Sequence, residues 1–174
     1  MASCYAPGCK MTLAVLSLGS NLGDSQKILK DAVSDIKSIK GISDFKLSPF
    51  YKTKPVGYVD QDDFVNLACS FETTLEPLDL LHNMQALEQK YKRVRLFKNG
   101  PRTLDIDLIV YGDLVLNTQE LTVPHPRMHE RAFVLAPLKD IEPNLTVSTF
   151  NTTVQELYEQ LDDKEKNDVE IING

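Results

Sequence analysis

The sequence predicts an α+β fold, a mainly antiparallel sheet with both helices of its core on one face, extended by a C-terminal hairpin and helix. Three observations predict it. Apolar residues alternate between the two-residue repeat of a strand and the 3.6-residue repeat of a helix, in the order strand, helix, strand, strand, helix, strand. Glycine, proline, asparagine and aspartate mark most of the switches. The 174 residues, 42% hydrophobic and 25% charged, suit one core and make a second domain unexpected.

Leu13 to Leu18 forms an apolar run that ends at Gly19, Ser20 and Asn21, a strand passing through a turn. Asp24 is placed to cap the helix that follows, in which Ile28, Leu29, Ala32, Val33, Ile36 and Ile39 recur at helical spacing until Gly41. Ile42 to Lys52 is expected to be one irregular strand, interrupted by Pro49. From Phe64 to Phe71 the alternation is clean, with Val65, Leu67, Cys69 and Phe71 on one face and Phe64, Asn66, Ala68 and Ser70 on the other. Pro77 is suited to start a second helix, whose stripe of Leu81, Met84, Leu87, Glu88 and Tyr91 leads toward a basic segment. Leu104 to Tyr111 then forms a strand that sets Asp105, Asp107, Ile109 and Tyr111 on one face and Ile106, Leu108 and Val110 on the other. This order is that of a ferredoxin-like βαββαβ core, which leaves one sheet face free for a ligand. Downstream, Leu114 to Leu116 and Leu121 to Val123 read as a hairpin, and a helix is expected from about Glu130 to Asp140, additions that are placed to wall the open face. Residues 1–10 read as a flexible leader, 11–162 as one domain, and 163–174 as a polar tail that frays.

The formal net charge of −6 sets the overall field against nucleic acid and anionic membranes. No stretch approaches the roughly 18 apolar residues of a membrane helix, and no signal region opens the chain, so a cytoplasmic protein is expected. Cys4, Cys9 and Cys69 are too few for a disulfide framework, and the spacing of Cys4 and Cys9 relative to His125 and His129 matches no standard zinc pattern.

Chemistry concentrates in one stretch. Lys90, Lys92, Arg93, Arg95, Lys98 and Arg102 follow one another with no acid among them, and Asp105 and Asp107 come directly after. Two aspartates at strand spacing project from the same face, roughly 6 to 7 Å apart, where they suit one or two magnesium ions. Arginine forks match phosphate oxygens and spread the charge that develops in phosphoryl transfer. Either feature alone is commonly a solvated surface run; together they point to a metal- and phosphate-handling site. Gly19-Ser20-Asn21-Leu22-Gly23 matches no phosphate-loop pattern and reads as a structural turn. His125, between Pro124 and Pro126, is either a rigid donor to phosphate or a loop-packing residue, and His82 is a helix-surface residue. Two rival functions fit less well. A nucleotidyltransferase keeps its Gly-Ser about a dozen residues before its aspartates, whereas Gly19 precedes Asp105 by more than eighty. An RNA-binding sheet would carry an aromatic stacking motif that is missing here.

The run Gly100-Pro101-Arg102-Thr103-Leu104-Asp105-Ile106-Asp107-Leu108, with the early Gly19 to Asp24 turn and the late Leu121-Thr122-Val123-Pro124-His125, closely resembles the 6-hydroxymethyl-7,8-dihydropterin pyrophosphokinases, a ferredoxin-like family. The resemblance runs from about Leu13 to Leu145. It implies transfer of the diphosphate of ATP to the pterin hydroxymethyl group, with release of AMP, in folate synthesis. Two magnesium ions would be held by Asp105 and Asp107, and Asp107 would accept the hydroxyl proton. Arg93, Arg95 and Arg102 would join the aspartates in catalysis. ATP would be bound by Gln85, Glu88, Arg93, Arg95, Lys98, Arg102, Leu108, Thr122, His125 and Arg131. The pterin would lie among Thr53, Pro55, Val56, Phe64, Asn66, Asp105 and Phe133. A monomer is expected, working near other folate-pathway enzymes. Lys98-Asn99 stands where an arginine and a tryptophan are usual in bacteria, and the loop before it is one residue shorter, which implies altered loop closure rather than a different reaction; Pro126 replaces a frequent aromatic, which implies an altered nucleotide contact.

Overall fold

The computed structural model of the chain describes residues 11–21, 24–54, 63–91 and 104–172. Its elements run β1 (Thr12–Ser20), α1 (Ser25–Lys37), β2 (Ile42–Leu47), β3 (Tyr51–Thr53), β4 (Phe64–Thr73), α2 (Pro77–Lys90), β5 (Asp105–Tyr111), β6 (Leu116–Asn117), β7 (Thr122–Val123), a 3-10 turn (Met128–Glu130), α3 (Ala132–Ile141), β8 (Thr146–Val147), β9 (Thr152–Thr153), α4 (Val154–Glu159), α5 (Asp163–Asn167) and β10 (Val169–Ile171). The helices start where local chemistry dictates. The Asp24 carboxylate accepts the Lys27 N–H at 3.3 Å and so satisfies one orphan donor of the first turn of α1. Pro77 opens α2, where its missing N–H costs nothing.

The main sheet is six-stranded, in the order β10-β3-β4-β1-β5, with β2 also paired to β4. Every pairing in it is antiparallel. β1 is flanked by the two strands that carry the expected site residues. Gly19 lies opposite Asn66 of β4 and Asp105 of β5, and Ser17 lies opposite Ala68 and Asp107. Because residues directly opposite share a face, register alone gathers Asn66, Asp105 and Asp107 on one side.

Each face of the sheet has its own core. On one, Leu16, Leu18, Leu67, Cys69, Phe71, Ile106 and Leu108 pack against Leu29, Val33 and Ile36 of α1 and Leu80 and Met84 of α2. Phe71 is fully buried there and stacks on Phe45, with ring centroids 5.9 Å apart. On the other, Val15, Ala68, Ile109 and Val110 pack against Val134, Leu135 and Leu138 of α3 and Val154 and Leu157 of α4. The second face is therefore not free along its whole length. α3 and α4 roof its apolar part, and the polar part at the end of β1 carries the candidate site.

Four local expectations change. β5 carries a bulge: its register against β1 shifts between Val15 and Leu16, so that Val15 faces Val110 while Leu16 faces Leu108. The extra residue turns Val110 toward the α3 side, beside Ile109, and Tyr111 toward the α1 and α2 side. Ile42 to Lys52 is two strands, because the Ser48 hydroxyl accepts the Ala68 N–H at 2.9 Å and Pro49 has no N–H to offer a partner strand. The helix expected from Glu130 starts at Ala132, after the 3-10 turn. Residues 163–171 form α5 and β10 where fraying was expected. Asp162 caps α5 by accepting the Glu165 N–H at 2.9 Å, and β10 pairs with β3 from Val169↔Thr53 to Ile171↔Tyr51, satisfying a sheet edge that would otherwise stay unpaired. Among the described residues no helix is long and apolar enough to cross a membrane.

Candidate active site

Asp105 and Asp107 are partly exposed on β5, and Ile106 between them is 5% exposed in the core below. The Ile106 N–H donates to the Glu88 carboxylate at 2.8 Å. Glu88 is itself buried, so it pins α2 to the strand segment that presents both aspartates. Expected among the nucleotide-binding residues, Glu88 is buried where α2 meets the outer edge of β5, the last strand of the sheet. The donor set of the two aspartates fits magnesium chemically, since two hard carboxylate oxygen donors project together and magnesium is commonly held by one or two carboxylates plus phosphate oxygens and water.

Asn66 occupies the matching position two strands away, about 10 Å across the sheet at the usual strand spacing. It is buried, and its side-chain N–H donates to the Thr53 hydroxyl at 2.8 Å. Nothing local in the chain hints at what Gly19 does between Asn66 and Asp105. It is a strand residue, not part of a turn, and a Cβ there would fall 2.7 Å from Asn66 Oδ1. The glycine therefore makes room for the amide. No signal in the sequence pairs Gly19 with Asn66, because their opposition exists only once β1 and β4 are in register. Phe64 begins β4 beside Thr53, and Phe133 lies on α3 and packs against its core.

The third group comes from the loop before α3. Arg131 is the residue preceding that helix, and its guanidinium lies 5.5 Å from the Phe133 ring centroid. Burial lowers its pKa, while the Asp107 and Asp105 carboxylates act in the opposite direction, which places Arg131 in the field of both aspartates. His125 is held at two points: its N–H donates to the Ile109 carbonyl at 2.8 Å, and its Nδ1 accepts the Arg127 N–H at 3.1 Å. Nδ1 being an acceptor, a neutral ring carries its proton on Nε2. Burial, then the Arg131 and Arg127 charges, push the pKa down to about 4. A neutral ring with its proton on Nε2 can donate to an anion, and the loop hydrogen bond from Arg127 fixes the same tautomer, so both roles are compatible with it.

That shift has a stability consequence with a definite sign. The folded ring resists protonation below its ordinary pKa of about 6.5, so the unfolded chain binds the extra proton between that value and about 4. Stability is therefore expected to fall as pH drops through this window, more steeply than in a His125→Gln variant. Thermal unfolding across pH 4 to 7 reads the difference, and a ring titrating near 6.5 by NMR would contradict it.

The remaining candidates are spread. Gln85 is exposed on α2, and Thr122 is half-buried on β7, its hydroxyl donating to Asn117 at 3.2 Å. The Leu108 side chain points into the helix-side core, leaving only its backbone available to a ligand. His82, as expected, is on the helix surface, 2.6 Å from Glu120. Lys90, first cation of the basic run, is committed to Asp35 of α1 at 2.8 Å. Pro55, Val56, Arg93, Arg95, Lys98 and Arg102, with Asn99 and both leader cysteines, lie outside the described residues.

Comparison with known proteins meets this geometry. The family model described as 7,8-dihydro-6-hydroxymethylpterin-pyrophosphokinase (HPPK) matches residues 15–143. A Bacillus subtilis 2-amino-4-hydroxy-6-hydroxymethyldihydropteridine pyrophosphokinase is 43% identical over 129 residues, 74% of this chain and 77% of that protein. The Haemophilus influenzae protein of the same name is 39% identical over 88% of this chain and 95% of its own length. A Folic acid synthesis protein of Pneumocystis carinii is 40% identical over 85% of this chain, which spans only 20% of it. Among solved structures, a Plasmodium falciparum HPPK-DHPS triple mutant with pteroate superposes with a TM-score of 0.72 at 17% identity, over 97% of this chain and 48% of that one, a likeness of fold. With a family model covering most of the chain and relatives near 40% identity along most of its length, the chain belongs to the 7,8-dihydro-6-hydroxymethylpterin-pyrophosphokinase family.

Proposed function

We propose that this domain transfers the diphosphate of ATP to the hydroxymethyl group of 6-hydroxymethyl-7,8-dihydropterin in folate synthesis. The hydroxymethyl oxygen attacks the β-phosphorus, the bond between that phosphorus and the bridging oxygen to the α-phosphate breaks, and AMP leaves. The observation that carries the reading is the row Asp105, Gly19, Asn66 across three adjacent strands. It sets Asp105 two strands from a buried amide, with Asp107 on the same face, so that a small heterocycle bearing a hydroxymethyl arm could reach from the amide to the carboxylates.

In this reading Asn66 takes the polar edge of the pterin, and Phe64 and Phe133 flank its ring with Thr53, Pro55 and Val56 around it. Asp105 and Asp107 hold two magnesium ions, which supply charge neutralisation to the β- and γ-phosphates when bound. Asp107 also accepts the hydroxyl proton. Arg93, Arg95, Lys98, Arg102 and Arg131 neutralise the phosphates. His125 donates its Nε2 proton to a phosphate oxygen, and Gln85, Thr122 and the Leu108 backbone complete the nucleotide side. The strand order fits a ferredoxin-like core, β5-β1-β4 with β2 and β3 beyond. We assign the domain to the cytoplasm as a monomer, acting near other folate-pathway enzymes.

Incubation with ATP, magnesium and the pterin, followed by chromatography of the nucleotides, tests this reading. Pterin-dependent AMP without free pyrophosphate is the expected result. Pterin-dependent ADP would mean single phosphoryl transfer, and no turnover would overturn the assignment.

A further inference from the structure

The last turn of a helix is its least constrained part, because its final carbonyls have no intrahelical partner. α2 ends at Lys90, with Tyr91 as its C-cap, and this turn also carries Glu88, which takes the N–H of Ile106 between the two aspartates. Where the turn sits therefore sets where the site end of β5 sits. The turn is held in its place from α1. Asp35 Oδ2 accepts a hydrogen bond from the Tyr91 hydroxyl at 2.7 Å and another from the Lys90 ammonium at 2.8 Å. Hydrogen bonds from Lys90 and Tyr91 hold the Asp35 carboxyl below the usual carboxylate range, and burial, then the hydrogen bond to Asp35, push the Tyr91 phenol up. At neutral pH the tyrosine is thus a donor and the aspartate an anionic acceptor, the stronger kind of hydrogen bond. The Tyr91 ring packs against the helix-side core, whereas the Lys90 side chain is 59% exposed and its ion pair is screened by water. The tyrosine contact therefore carries more of the anchor.

We infer that Asp35 is a positioning residue for the diphosphate transfer, acting on the Asp105 and Asp107 carboxylates through Tyr91, the last turn of α2 and Glu88. The catalytic half of this inference rests on the proposed function. The links are short ones. Asp35 meets Tyr91, Tyr91 lies one helical turn from Glu88 on the same side of α2, and Glu88 meets Ile106. The Tyr91 N–H donates to the Leu87 carbonyl at 3.1 Å, so the turn between the first link and the last is hydrogen-bonded and moves as a unit. Neither Asp35 nor Tyr91 need touch a substrate, because a small displacement of a reacting group suffices to slow a reaction held in near-attack geometry.

The test is kcat and KM for ATP of the full chain at saturating magnesium and pterin, together with the amide resonance of Ile106 by NMR in the absence of substrates. A contact that only stabilises the fold would lower the melting temperature and leave the kcat of the folded enzyme as it is. Tyr91→Phe and Asp35→Ala are each expected to lower kcat roughly three- to tenfold, the effect of one hydrogen bond, with KM for ATP within about twofold of the wild type. Both should move the Ile106 amide proton upfield, as its hydrogen bond to Glu88 lengthens. Asp35→Asn keeps an acceptor for the Tyr91 hydroxyl and is expected to retain the wild-type kcat. The double variant Asp35→Ala/Tyr91→Phe should lose no more than either single one, and Asp35→Ala should cost little further in a Glu88→Ala background, because the contacts form one chain. Should Asp35→Ala fail to fold, Tyr91→Phe and Asp35→Asn decide by themselves. Wild-type kcat in Tyr91→Phe, losses that multiply in the double variant, equal losses in Asp35→Asn and Asp35→Ala, or an unmoved Ile106 resonance would overturn the inference while leaving the proposed function standing. A wild-type protein without pterin-dependent AMP would remove the proposed function and the catalytic half of the inference, and the Ile106 resonance would still decide whether Asp35 reaches β5.

Discussion

Asp107→Ala is expected to lower pterin-dependent AMP formation by roughly three orders of magnitude, the scale seen when a preorganised electrostatic partner of a transition state is lost. Asp107 belongs to neither hydrophobic core. It is partly exposed on β5, its neighbour Ile106 supplies the core contact, and its strand is anchored to Glu88 of α2 through the Ile106 N–H. The melting temperature should accordingly stay within about 3 °C of the wild type, since a surface change seldom exceeds roughly 0.5–1 kcal/mol. Asp105→Ala should behave alike, with a further loss of pterin affinity if Asp105 also borders that pocket. Magnesium titrations on both variants separate a lost ion from a lost base, because a variant that merely binds the metal weakly regains rate at high magnesium. A folded Asp107→Ala enzyme keeping a tenth or more of its activity would remove the aspartate pair from the mechanism.

Glu88→Ala is expected to act in the opposite way, on the fold first. The carboxylate is buried and accepts the Ile106 N–H at 2.8 Å, so truncation leaves a cavity and orphans a buried donor. The two effects together cost about 2–4 kcal/mol, or roughly 5–15 °C of melting temperature in a domain this size. Glu88→Gln retains an acceptor oxygen and should lose half of that or less. Activity should fall with the position of β5, as a lower kcat rather than a raised KM for ATP. A variant that melts with the wild type but shows a raised KM for ATP would return Glu88 to the nucleotide side.

Two patterns in the chain were enough to place most of the elements. Alternation in Phe64 to Phe71 assigned the faces of β4 correctly, because side-chain direction in a strand follows from the pleat alone. Capping chemistry located the start of α1 at Asp24 and of α2 at Pro77 for an equally local reason, the orphan donors of a first turn. The spacing of Asp105 and Asp107 likewise fixed their common face. Each of these needed only covalent geometry and the nearest neighbours in sequence.

What failed in the sequence reading was decided by partners distant in the chain. The β5 bulge depends on how β1 lies against it, and it reversed Val110 and Tyr111 although their alternation looked regular. Residues beyond Asp162 are polar enough to predict fraying, yet an unpaired β3 edge gives them backbone partners that no local pattern announces. That downstream elements would wall the open face was legible, but which part of it α3 and α4 cover was decided by the apolar Val15, Ile109 and Val110 beneath them. Glu88 and Gly19 show the same division within the site. By itself the sequence determined which side chains carry charge and chemistry, since composition and short-range spacing are written along the chain. Only the tertiary structure decided which of them hold the site from behind, because opposition across strands arises from register and long-range packing.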